Sequence, residues 1–180
     1  EVVTWYGPVL AKHLTKARVD MGDSDPEDEV PGEVWMVGNH IIGAIRDLPK
    51  VCESLHLPVQ SGSNHILASM NRKYTSDDYR GKVLRLRDAV PAVSLTTDII
   101  VGFPGEGDDD FAMTLQILRD VQFDTLFAFK YSKRPNTKAL DLPGHLPEQV
   151  KEDRLEGVFS LQKDITLLKN RQHVGTVREV

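Results

Sequence analysis

The sequence predicts an α/β fold built on a parallel sheet, and three observations lead to it. From about residue 40 onward, helical and strand periodicities alternate along the chain. The strand-like runs recur roughly every 30 to 40 residues and each is joined to the next through a helix, which calls for right-handed crossovers and parallel pairing. Each run also ends in polar, Gly- or Pro-containing residues, at the place where parallel α/β proteins bind their ligands. Pattern alone does not decide between a barrel and an open sheet.

In NHIIGAIRDLP, Ile41, Ile45 and Leu48 fall at helical spacing and Pro49 marks the stop. A short strand is predicted over 54–59. After the turn residues QSGSN comes a short helix carrying Ile66, Leu67 and Met70. A second helix follows, with Thr75 as N-cap and Tyr79, Val83, Leu86 and Val90 on its apolar stripe. Asp77 and Asp78 lie in its first turn and Arg85 and Arg87 near its end, as the helix dipole prefers. VSLTTDIIV then reads as a strand. FPGEGDDD supplies an acidic helix start, and Phe111, Leu115 and Leu118 are the expected buried stripe of that helix. FDTLFAFKY reads as the third strand. Pro147 opens a long terminal helix with Val158, Leu161, Ile165 and Leu168 facing inward.

The first 40 residues lack this regularity. EVVTW suits a strand and VLAKHLTKA a helix, whereas DMGDSDPEDEVPGE reads as a mobile acidic loop. A calcium loop starting at Asp23 is a poor match, because Val34 occupies the position of the bidentate Glu and Pro26 interrupts the loop.

At 180 residues and 40% hydrophobic composition, the chain can bury an ordinary one-domain core. It contains no apolar run approaching the ~20 residues of a membrane helix, and EVVTWYGPVL lacks the features of a secretory signal, so a cytoplasmic setting is expected, without a membrane partner. The net charge of −5 argues against binding nucleic acid by bulk electrostatics. The first 50 residues hold 5 Lys/Arg against 9 Asp/Glu, so the remainder is near neutral and leaves room for a local basic patch. Cys52 is the only cysteine, which excludes an internal disulfide and any metal or cluster site made of several thiolates of this chain.

Three segments just past strand ends are candidates for chemistry. In LHLPVQSGSN, Gln60 both donates and accepts, Ser61 and Ser63 offer hydroxyls, and Gly62 permits close approach of a ligand to the backbone; an ordinary βα turn with Ser63 as N-cap is the alternative. His56 reads as a core or rim histidine rather than a metal ligand. In TTDIIVGFPGE, Asp98 needs a hydrogen-bond partner if buried, and Gly102, Pro104 and Gly105 shape a tight loop suited to a flat ring. A structurally paired Asp followed by a generic turn fits as well. In FAFKYSKRPNT, Lys130, Tyr131, Lys133 and Arg134 cluster beyond the strand, able to grip a carboxylate or phosphodiester or simply to form a solvated edge.

Together and in order, LHLPVQSGSNHILASMNRKYT, LTTDIIVGFPGEGDDDF and FKYSKRPNTKA resemble three blocks of the radical S-adenosylmethionine (SAM) methylthiotransferases, most closely the MiaB branch that modifies tRNA. The resemblance spans about residues 40–175. It implies a partial parallel (β/α) barrel of radical SAM type, of which this chain holds the later strands over 40–172. It further implies a cofactor pair of SAM and a 4Fe–4S cluster, and a 5′-deoxyadenosyl radical that opens an unreactive C–H position to sulfur and methyl insertion. By the same resemblance, Gln60 and Ser61 would sit near the amino-acid or ribose groups of SAM. Asp98, Gly102, Phe103, Pro104 and Glu106 would border its ribose and adenine. Lys130, Tyr131 and Arg134 would face the cofactor or an incoming nucleotide.

The resemblance also marks departures. The family's CxxxCxxC motif and a second set of three cysteines have no counterpart in a sequence with one thiol, so no metal ligand and no catalytic residue is assigned here. Asn136 stands where the family has Gly, and residues 1–39 diverge from the family pattern. KNRQHVG resembles the lead-in to a TRAM RNA-binding barrel, whose start would fall in 173–180. The leading expectation is a tRNA methylthiotransferase fragment, acting in its complete form on N6-isopentenyladenosine-37 and inactive alone. The alternatives are a RimO-like fragment that modifies a ribosomal protein, and a non-catalytic SAM- or RNA-binding module. An opened barrel should leave an unpaired strand edge and an uncovered apolar face.

Overall fold

A computed structural model describes residues 39–135 and 137–176. The strand, helix, acidic loop and calcium-loop readings for the first 38 residues lie outside the described residues, as do Asn136 and positions 177–180. The chain divides into two compact units, Glu1–Ser54 with Lys82–Val93, and Leu55–Gly81 with Ser94–Val180.

In the first unit, helix α1 (Asn39–Asp47) buries Ile41, Ile42 and Ile45, the i, i+1, i+4 face of an amphipathic helix. Val83 and Leu86 on the later turns of helix α3 (Ser76–Ala89) are buried too, as are Val90 and Val93 beyond its end.

The second unit is built on strands β1 (Ser54–His56, of which it holds Leu55 and His56), β2 (Ser94–Val101) and β3 (Thr125–Lys130), in the order β1-β2-β3. β2 and β3 run parallel with Thr96 opposite Thr125, Asp98 opposite Phe127 and Val101 opposite Lys130. β1 is shorter than the sequence predicts. Pro58 has no N–H for a ladder, and the Val59 N–H turns to the Thr97 hydroxyl at 2.9 Å; pairing with β2 resumes only at Gln60, parallel to Ile99.

Helix α2 (Asn64–Ser69) starts at Ser63, whose hydroxyl accepts from the Ile66 N–H. Helix α3 (Ser76–Ala89) starts from a reciprocal cap, in which Thr75 Oγ1 accepts from the Asp78 N–H and the Asp78 carboxylate accepts from the Thr75 N–H. Tyr79 of α3 is buried, tilts against Phe123 and donates to the Leu57 carbonyl at 2.8 Å.

Helix α4 (Asp108–Val121) buries Thr114, Ile117, Leu118 and Val121. This corrects the expected stripe, because Phe111 and Leu115 are only half-buried. Phe111 lies beneath the Arg154 guanidinium at 5.4 Å instead, and Thr114 takes an inward place because its hydroxyl binds the 61–63 turn. Helix α5 (Glu148–Arg171), preceded by Pro147 as N-cap, packs on β3, β2 and α4. It buries Arg154, Val158, Gln162 and Ile165, while Leu161 is half-buried and Leu168 is 50% exposed. The inward face is therefore rotated toward two polar residues, each with a partner that hydropathy cannot reveal: Arg154 meets Glu106, and Gln162 donates to the Phe123 carbonyl.

Candidate cofactor-binding rim

The C-terminal ends of the three strands bring the predicted segments to one end of the sheet, but their polar groups are not equally available. Gln60 has φ of 67°, a left-handed conformation that costs a non-glycine residue about 1 kcal/mol or more. The sheet enforces it, since the Gln60 N–H donates to the Asp98 carbonyl and the Gln60 carbonyl accepts from the Ile100 N–H, each at 2.9 Å. The residue itself is buried, so its side chain is held in place at the strand end.

The hydroxyls that follow are engaged in folding the turn. Ser61 Oγ lies 3.2 Å from Thr114 Oγ1 and accepts from the Ser63 N–H. Ser63 Oγ donates to Asp110 at 2.5 Å. A Cβ on Gly62 would lie 2.2 Å from the Met113 carbonyl oxygen, so the close approach that glycine permits here is to the backbone of α4 and not to a ligand. Burial pushes the Asp110 carboxyl up, but the Ser63 hydroxyl, the Gly107 N–H and His65 outweigh it and hold the group below the usual aspartate value.

Asp98 stands on the more open face of β2, with its side chain 28% exposed and Oδ2 3.4 Å from His56 Nε2. His56 Nδ1 lies 2.8 Å from the Thr96 hydroxyl, and the imidazole meets the Phe127 ring edge-on. His56 is thus a half-buried residue paired to Asp98.

After β2, Gly102 has φ of 71° and Gly105 of 84°, and the Gly105 N–H donates to the Gly144 carbonyl. A Cβ on Gly102 would meet the Lys151 side chain at 2.4 Å. Glu106 builds this loop from within: one carboxylate oxygen accepts from the Gly102 N–H at 3.0 Å and the other from Arg154 at 2.7 Å. Burial pushes the Glu106 carboxyl up, against the pull of the Gly102 N–H and Arg154. Both oxygens thus hold the Gly102–Pro104 surface in place from within the loop. Phe103 and Pro104 are buried in the loop, and Phe103 meets Tyr131 edge-on at 5.2 Å.

After β3, Lys130 is bound to Glu148 at 2.6 Å and Glu152 at 2.9 Å, and those bonds hold its ammonium above the ordinary lysine value. Tyr131 is fixed by its N–H to the Val101 carbonyl and by Lys151 Nζ on its own carbonyl. Its hydroxyl is buried and has no hydrogen-bond partner among the described residues. Lys133 and Arg134 are exposed. Sequence reasoning missed Thr114, Arg154, Lys151 and His145, whose roles come from chain segments far away along the sequence.

These residues suit a SAM-like ligand better than a cluster. The Gln60 side chain, Tyr131 and the apolar Phe103–Pro104 surface place polar groups beside a flat wall, as an adenosyl group requires. For a 4Fe–4S cluster the fit fails: Cys52 is exposed and alone, and no group of three His, Cys, Asp or Glu side chains able to hold a metal occurs among the described residues.

A three-stranded parallel sheet with helical crossovers and a glycine-shaped rim is a partial (β/α) fold, and a model of the Radical SAM superfamily matches residues 26–118. The chain belongs to that superfamily. Within it, the chain is 49% identical over 144 residues to the tRNA-2-methylthio-N(6)-dimethylallyladenosine synthase of Caldicellulosiruptor saccharolyticus, covering 80% of this chain and 31% of that protein. It is 46% identical over 177 residues to the synthase of the same name from Thermodesulfovibrio yellowstonii, covering 96% and 39%. The one from Aquifex aeolicus is 45% identical over 140 residues, covering 78% and 32%. The chain thus spans roughly a third of the length of the curated relatives it matches. No helix among the described residues is long and apolar enough to cross a membrane.

Proposed function

We propose that this chain supplies the later βα units of the radical SAM domain of a tRNA methylthiotransferase. In its complete form that enzyme would place a methylthio group on N6-isopentenyladenosine-37 of tRNA. The observation that carries the proposal is identity of 43–49% to synthases named for that tRNA product, over most of this chain. Bound SAM would supply the adenosyl radical precursor. The chain's own residues would hold it: the Gln60 amide toward the amino-acid or ribose groups, Asp98 toward the ribose, and Gly102, Phe103 and Pro104 against the adenine. Ser61 and Glu106 would act indirectly, by fixing the two turns. Tyr131 would complete the rim, with Lys130 and the exposed Arg134 at its outer edge toward the nucleic acid.

The cluster thiolates are not among these 180 residues, so the chain alone is proposed to be inactive. The same single cysteine supports a second reading, a non-catalytic SAM- or RNA-binding module. A form extended upstream to include a CxxxCxxC motif should, after anaerobic cluster reconstitution, methylthiolate isopentenyladenosine in tRNA. Methylthiolation of a ribosomal protein instead would overturn the substrate assignment, and an upstream reading frame without the motif would favour the binding module.

A further inference from the structure

Four cations, Lys130, Lys133, Arg134 and Lys138, follow one another at the end of β3 and in the loop beyond it, and they are not equally free. Lys133, Arg134 and Lys138 are exposed, and no ion pair engages them among the described residues. Lys130 is bound twice, to the carboxylates of Glu148 at 2.6 Å and Glu152 at 2.9 Å. Its ammonium thus meets oxygens at the distances of a charge-assisted hydrogen bond, the same bond it would make to a phosphate.

The two carboxylates come from successive turns of α5, at i and i+4, where like charges repel unless a cation lies between them. Lys130 supplies that cation, and Lys151 adds a contact to Glu148 at 3.2 Å. The hydrogen bonds from Lys130 and Lys151 hold the Glu148 carboxyl below the ordinary glutamate value, so it is charged at neutral pH. The other ion pair between α5 and the rim, Arg154 with Glu106, is sealed, with side chains 7% and 2% exposed. Glu148 and Glu152 are 60% and 52% exposed. Ion pairs so open to water contribute little to stability and yield readily to a competing anion.

We infer that Glu148 and Glu152 act as an internal phosphate mimic: they withhold Lys130 from polyanions in the free chain, and a phosphodiester must displace them before Lys130 joins Lys133, Arg134 and Lys138 in contact with it. The inference concerns regulation of the outer rim and rests on the nucleic-acid reading of that edge given above. Its consequence is selectivity. A polyanion that touches only the loop meets three cations, whereas one seated against the strand end meets four.

Fluorescence anisotropy with a labelled oligouridylate, read at several salt concentrations on the 180-residue chain, tests it. Glu148→Gln combined with Glu152→Gln should bind this RNA about two- to fivefold more tightly than the parent. The slope of log affinity against log salt should steepen by about 0.7, the increment for one further phosphate contact on a single strand. Asp153→Asn combined with Asp164→Asn removes the same charge from exposed positions of α5 that form no contact with Lys130, and should leave that slope unchanged. Adding Lys130→Gln to the glutamine pair should cancel both gains, which separates unmasking of Lys130 from a general loosening of the fold. Equal effects of the two charge-removing pairs, or a gain that survives Lys130→Gln, would overturn the inference and leave the nucleic-acid reading intact. If neither the parent nor any variant binds the RNA in a salt-dependent way, the inference and that reading fail together.

Discussion

On one face of β2, Leu95, Thr97, Ile99 and Val101 are fully buried, and α5 packs on the same sheet. On the other face stand Thr96, Asp98 and Ile100, beside Phe127 and Phe129 of β3, which are 57% and 55% exposed. The first face is a core: it alternates cleanly, and its one polar residue, Thr97, accepts from the Val59 N–H. The second mixes a His–Asp pair with aromatic rings and is half open, as the inner wall of a barrel segment is. One sheet therefore has one face committed to stability and another left for contacts that the described residues do not make. The polar groups of the rim divide in the same way, with Ser61, Ser63 and Glu106 committed to the fold and the Tyr131 hydroxyl unpaired among the described residues.

The committed side should be sensitive to substitution and the open side tolerant. Arg154→Ala removes the partner of buried Glu106 and should be the most damaging change, costing about 3–5 kcal/mol in urea unfolding because it strands a buried carboxylate. Ile99→Ala, in the covered face, should cost about 2–4 kcal/mol by the same measurement. Asp110→Asn should cost about 1 kcal/mol at neutral pH, since it weakens the acceptor for Ser63 and Gly107.

That third effect depends on pH with a definite sign. The folded-state pKa of Asp110 is depressed, so its contribution is present above the unfolded value of about 3.9 and is lost as pH falls through the folded value. The gap between parent and Asp110→Asn should thus close below about pH 4; a gap that widens there would contradict the assignment. Phe127→Ala, on the open face, should change stability by only about 0.5 kcal/mol. A loss as large as that of Ile99→Ala would show that the two faces are equivalent.

What could be read in the sequence was mostly local. Ser63 and Thr75 were recognisable as caps because a cap and its partners lie within a few residues, and β2 was recognisable from its apolar run before FPG. The partners of Arg154 and Thr114 lie some 50 positions away, so the stripes of α4 and α5 were assigned to the largest apolar residues and came out rotated. Gly62 reads in the sequence as a place where a ligand approaches the backbone, and nothing local indicates that the group lying close to it is the backbone at Met113. Tyr131 was visible as an aromatic past a strand end, whereas its unsatisfied hydroxyl depends on packing around Phe103 and His145.

The central claim is that this chain carries the SAM-facing rim of a radical SAM domain but not the ligands of its cluster. Anaerobic reconstitution of the 180-residue chain with iron and sulfide, followed by assay of iron content and of 5′-deoxyadenosine formed from SAM under reducing conditions, tests that claim directly. The account predicts no stoichiometric iron and no 5′-deoxyadenosine. A bound 4Fe–4S cluster with SAM cleavage would contradict it.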